Sequence, residues 1–173
     1  ATKREPSAAV PGKAASATMS VSPSSVSAAV GKTFTVGIYV NAGEAINAAS
    51  GTVTYSTDVL QATSVSTSGT IISFWTDYPA AGGSIKFGGG LPNPGHVGSG
   101  KLFSITFKVK SSGGGSISIT GGSVLANDGA GTNIYSGASG ASVNGGGGAA
   151  KAPAAPTLSI SSKSHPNQSS WYK

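Results

Sequence analysis

KLFSITFKVK, residues 101–110, sets Phe103, Ile105, Phe107 and Val109 at alternate positions, with Ser104, Thr106, Lys108 and Lys110 between them. A strand points successive side chains to opposite faces, so this spacing buries one face of a strand and wets the other. TFTVGIYV, residues 33–40, repeats the pattern with Phe34, Val36, Ile38 and Val40. Weaker stretches of the same period cover residues 18–21, 51–55, 60–65, 71–75, 84–87, 116–120, 123–125 and 140–143. Gly, Pro, Asn and Asp separate them at the spacing of an all-β sandwich, and no stretch carries a convincing apolar period of 3.6. Half-buried antiparallel sheets must cover each other's apolar faces, so the expected fold is an all-β, antiparallel sandwich.

Composition agrees. Of 173 residues, 27 are Gly, none is Cys, and charged residues make up 9%, against roughly 25% in an average soluble protein. Without cysteine, disulfides, thiolate metal sites and cysteine nucleophiles are excluded. Between residues 18 and 145, Lys32, Lys86, Lys101, Lys108 and Lys110 face Glu44, Asp58, Asp77 and Asp128, which leaves this region nearly neutral. The net charge of +6 therefore sits mostly in the termini, at Lys3, Arg4, Lys13, Lys151, Lys163 and Lys173. A domain without a basic face argues against nucleic-acid binding. No apolar run reaches the ~18 residues of a membrane helix, so no membrane insertion is expected.

The termini differ from the middle. Residues 1–17 mix Pro, Ala and charges and read as a linker. Their end, Ala14-Ala15-Ser16-Ala17, has the small-residue look of an export cleavage site, but no apolar stretch precedes it. Residues 18–145 form the sandwich, residues 146–156 a Gly/Ala/Pro linker, and residues 157–173 the start of a further domain or a tail.

Catalytic and ligand motifs are weak. GHVGSGKL, residues 95–102, has the frame of a phosphate-binding loop. Such a loop needs Ser or Thr after the lysine and a helix beyond it. Here Leu102 follows Lys101 and a strand follows Leu102, so residues 95–100 read as a turn launching that strand. His96 and His165 have no partner at metal-ligand spacing, the carboxylates are isolated, and no nucleophile elbow occurs. Residues 126–129 (ANDG) read as a turn rather than a Ca²⁺ loop. Asn167-Gln168-Ser169 fits a glycosylation acceptor in the terminal segment. No catalytic residue, metal site or cofactor is assigned, and the expectation is a non-enzyme.

The aromatics of SFWTDYPAAGG, residues 73–83, offer another chemistry. Exposed Trp and Tyr rings stack on sugars, which makes Trp75 and Tyr78 candidate carbohydrate contacts. The alternative is packing at the end of the core. Neighbours on a strand face opposite ways, so Phe74 and Trp75 cannot both point inward on a regular strand.

The succession of segments resembles a cohesin domain. It comprises residues 21–65 (VSPSSVSAAVGKTFTVGIYVNAGEAINAASGTVTYSTDVLQATSV), then GSIKFGGG, GSGKLFSITFKVK and SISITGGSVLANDG, and it spans about residues 17–145. The resemblance implies a jelly-roll sandwich of about nine strands. It also implies a non-catalytic, extracellular or cell-surface module that binds dockerins, whose Ca²⁺ lies on the dockerin, in plant-polysaccharide degradation. In scaffoldin cohesins an Asn and an Asp before the Tyr-Asp-Pro turn hydrogen-bond the dockerin. Anchored on Tyr55 and Val59-Leu60, those positions are Ala48 and Ser50 here. Both polar anchors are lost or weakened, and each such loss commonly costs a few kcal/mol. Lys86 is the outward residue expected beside them. The expected function is a monomeric interaction module for a dockerin-like partner. The alternatives are a carbohydrate-binding module, which would make polysaccharide the partner, and a structural spacer of a multidomain surface protein.

Overall fold

The computed structural model describes residues 15–146. The segments 1–14 and 147–173, with His165 and Asn167-Gln168-Ser169, lie outside the described residues. The chain forms β1 (Ala17–Ser22), β2 (Ser25–Ala29), β3 (Thr33–Tyr55), β4 (Leu60–Ser66), β5 (Phe74–Asp77), β6 (Ser84–Gly90), β7 (His96–Val109), β8 (Gly113–Ala126), β9 (Tyr135–Ser139) and β10 (Ala141–Gly146).

These strands form one hydrogen-bonded sheet that curls on itself. One layer runs β9-β1-β3-β7-β4, using the first half of β3. The other runs β5-β6-β3-β8-β10-β2, using its second half. All ladders are antiparallel except β1 with β9 and β2 with β10. This is the all-β sandwich expected from the period-two pattern, in the jelly-roll form that the resemblance implied.

The layers meet through the inward residues of each strand. Phe103 on β7 packs against Phe87 on β6 at 5.0 Å between ring centroids, and Tyr55 meets Phe107 at 4.9 Å. Val36, Ile38, Val53, Ile85, Ile105 and Ile117 are fully buried in the same cluster. No polar or charged residue is buried among the described residues. Outside, hydroxyls cover the first layer, with Thr35 Oγ1 and Thr106 Oγ1 hydrogen-bonded across β3 and β7 at 2.9 Å.

Several boundaries differ from the sequence expectation, each for a physical reason. Residues 33–40 and 51–55 belong to one strand, β3. Its ladder with β7 breaks register between Ala42 and Ile46, and there the strand passes from one layer to the other. Residues 116–120 and 123–125 likewise join in β8 across a bulge opposite Ser50–Thr52. The last expected strand, residues 140–143, is the start of β10, and β9 just before it, in the other layer, was not expected. β2 carries no large apolar residue besides Val26 and gives no sequence signal.

Residues 95–100 are not a turn as expected. The turn is residues 92–95, closed by the Gly95 N–H donating to the Pro92 carbonyl at 2.8 Å, and β7 already begins at His96. Lys101, the lysine of the phosphate-loop frame, pairs with Tyr39 in the β3–β7 ladder. Leu102 is the extra residue of a bulge there, which buries it beside Phe103.

Candidate functional site

The outward face of β5, β6, the second half of β3 and β8 is built in rows across the strands. The pairings place Phe74 beside Gly90, Gly90 beside Ala48, and Ala48 beside Leu125. The next row along the strands is Asp77, Gly88, Ser50 and Ser123. Lys86, Thr52 and Thr120 follow. The register thus gives one apolar row and two polar ones.

The expected partner residues Ala48, Ser50 and Lys86 all lie on this face. Ala48 and Ser50 are half-buried and Lys86 is exposed. Lys86 Nζ sits 3.3 Å from Asp77 Oδ1. Both side chains are solvated, and an exposed pair of this kind contributes about 0–1 kcal/mol. The pair neutralises the only charges these four strand segments carry.

The aromatics divide as strand geometry requires. Trp75 turns inward, half-buried, with its ring centroid 6.4 Å from that of Phe103 and 5.8 Å from that of Tyr78. Phe74 turns outward and is 59% exposed. Its ring lies over Gly90, where any Cβ would collide with it. Glycine at 90 therefore makes room for an aromatic that covers bare backbone on a strand rich in glycine, Gly88-Gly89-Gly90. Tyr78, just past β5, is 62% exposed, with its hydroxyl 3.4 Å from Thr67 Oγ1.

Between Phe74 and Leu125 the small residues Gly90 and Ala48 leave an open depression of about 420 Å³, bordered by Ser50, Ser123 and Thr76. Sequence reasoning placed Ala48, Ser50 and Lys86 but missed Phe74 and Leu125. The signal for Phe74 was available in its alternation with Trp75. What decides which of the two faces out is the pairing of β5 with β6, which composition does not reveal.

The remaining polar candidates stand apart. His96 Nε2 lies 3.0 Å from the Ser99 carbonyl oxygen at the start of β7. Asp128 closes its own turn, accepting the backbone N–H groups of Ala130 and Gly131 at 2.9 and 3.1 Å and the Thr132 hydroxyl. No group of three potential metal ligands occurs among the described residues.

Comparison with known proteins adds the family. No curated protein sequence matches the chain. Among solved structures, a Clostridium acetobutylicum cohesin superposes with a TM-score of 0.64 at 16% identity, over 78% of this chain and 93% of that one. A non-cellulosomal cohesin of the hyperthermophilic archaeon Archaeoglobus fulgidus gives 0.61 at 21% identity, over 75% and 90%. The sixth cohesin of Acetivibrio cellulolyticus scaffoldin B, solved in complex with a mutant dockerin, gives 0.61 at 19% identity, over 76% and 99%. At these identities the structures establish a shared fold. The cohesin domain model matches residues 19–144, and the chain belongs to the cohesin domain family.

Proposed function

We propose that this chain is a dockerin-binding module of an extracellular or cell-surface protein, acting without catalysis in the assembly of polysaccharide-degrading enzymes. Family membership supports the class of function, and several cohesins of the same fold are solved in complex with dockerins. The observation that carries the reading is the face of β5, β6, β3 and β8. It is broad and electrically neutral, and it holds a large exposed aromatic, Phe74, beside an open depression. Exposed aromatic area framed by polar groups is the usual core of a protein interface. Ala48, Ser50 and Lys86 are its contact positions. Any Ca²⁺ in the complex belongs to the dockerin.

The test is capture by the immobilised full chain of dockerins from a Ca²⁺-loaded panel. At least one should be retained and then released by a chelator. Failure to retain any member of a broad panel would sink the proposal and favour a structural spacer. The carbohydrate alternative draws on one observation, the exposure of Tyr78 beside Trp75. Retention on insoluble polysaccharide, abolished by Tyr78→Ala, is the result that would favour it.

A further inference from the structure

The geometry points to a partner that plugs an uncharged apolar side chain, leucine- or phenylalanine-like, into the depression between Phe74 and Leu125. This inference rests on the dockerin reading and specifies the chemistry of recognition at the same face. Ala48, at the centre of the row between Phe74 and Leu125, has neither donor nor acceptor in its side chain. Its row neighbours are Gly90 on one side and Leu125 on the other, with the Phe74 ring folded over Gly90. A hydroxyl or carboxylate set against the row of Phe74, Gly90, Ala48 and Leu125 would give up water for side chains without donor or acceptor, and the hydroxyls of Ser50, Thr76 and Ser123 lie only at the border. An apolar side chain would instead remove Phe74, 59% exposed, from water.

Size and charge agree with this occupant. An enclosed cavity of about 150 Å³ already holds a benzene ring. The depression is open and about 420 Å³, so one large apolar side chain fits, with space for its neighbours. Lys86 and Asp77, 3.3 Å apart, leave the face without net charge, so nothing on it favours a charged plug over an uncharged one. The hydroxyls of Ser50 and Ser123 in the next row can meet backbone or amide groups around the plug. Specificity thereby rests on the row of Ala48, with Phe74 as the residue that determines it.

The experiment measures affinities of the full chain for Ca²⁺-loaded dockerins, half bearing aliphatic and half hydroxyl residues at the contacting positions. Aliphatic members should bind about tenfold tighter or more, and Phe74→Ala should remove about tenfold of that affinity. Ser50→Ala should change it less than about twofold. Equal or tighter binding of hydroxyl members, or a larger loss with Ser50→Ala than with Phe74→Ala, overturns the inference. If no dockerin binds, the function proposed above fails, and the plug is read separately with N-acetyl-leucine amide as the probe. Amide shifts at Ala48, Gly90 and Leu125 that vanish in Phe74→Asp sustain it; their absence overturns it. Self-association lost in Phe74→Ala would assign the face to a second copy and also overturn it.

Discussion

Gly95 has φ +85°, and a Cβ there would stand 2.5 Å from the Ile46 carbonyl oxygen. The residue that opens the phosphate-loop frame is therefore glycine because two backbones meet at the point where β3 changes layers. Gly98 shares the φ of +85° but has open space around it. Gly95→Ala should accordingly cost at least about 2 kcal/mol in urea denaturation, and Gly98→Ala about 1 kcal/mol. Equal losses would mean that conformation alone, not the close approach, fixes Gly95. Asp128 offers a second test. The Thr132 hydroxyl first, and then the Ala130 N–H, hold its carboxyl below the usual carboxylate range. A depressed folded pKa stabilises the folded turn above the unfolded pKa, and that stabilisation disappears as pH falls through the folded value. An NMR titration should find the Asp128 midpoint below that of a free aspartate, and Thr132→Val should raise it. An unshifted midpoint in the parent chain would remove the Thr132 contact from the account.

β3 and β7 hold the two layers together. Phe103 is fully buried and touches Phe87 and Trp75 from the opposite layer. Phe103→Ala should cost about 3–5 kcal/mol. Phe74→Ala, on the outward face of β5, should cost less than about 1 kcal/mol. Chemical denaturation of both variants separates a core aromatic from an exposed one, and a large loss at Phe74 would make it structural. The same contrast explains what was legible in the sequence. β7 was readable because one face is buried along most of its length, which forces strict alternation on Phe103, Ile105, Phe107 and Val109. β3 read as two strands because its buried face changes partners where the register breaks between Ala42 and Ile46. β2 was invisible because Ser25–Ala29 pairs through its backbone with β10 and contributes little apolar area. On the candidate face, Ala48, Ser50 and Lys86 came from a resemblance to cohesins, whereas Phe74 and Leu125 required the cross-strand register. Residues far apart in sequence become a site only when β5, β6, β3 and β8 are laid side by side.

The curled sheet leaves the molecule with two broad outward faces of different chemistry. One, around Thr35 and Thr106, is clothed in hydroxyls and carries Lys101 and Lys108. The other is neutral, with the apolar row Phe74, Gly90, Ala48 and Leu125 above rows of small polar residues. Apolar area is what a protein partner can desolvate with profit to both sides, and it separates the two faces more clearly than charge does. The core lies between the faces, so substitutions on either face should leave the fold intact and change only what it binds. The most direct measurement is an amide NMR map of the full chain titrated with a captured, Ca²⁺-loaded dockerin. The account predicts shifts concentrated at Ala48, Ser50, Phe74, Lys86 and Leu125, with Thr35 and Thr106 unmoved; a map centred on Thr35 and Thr106 would contradict it.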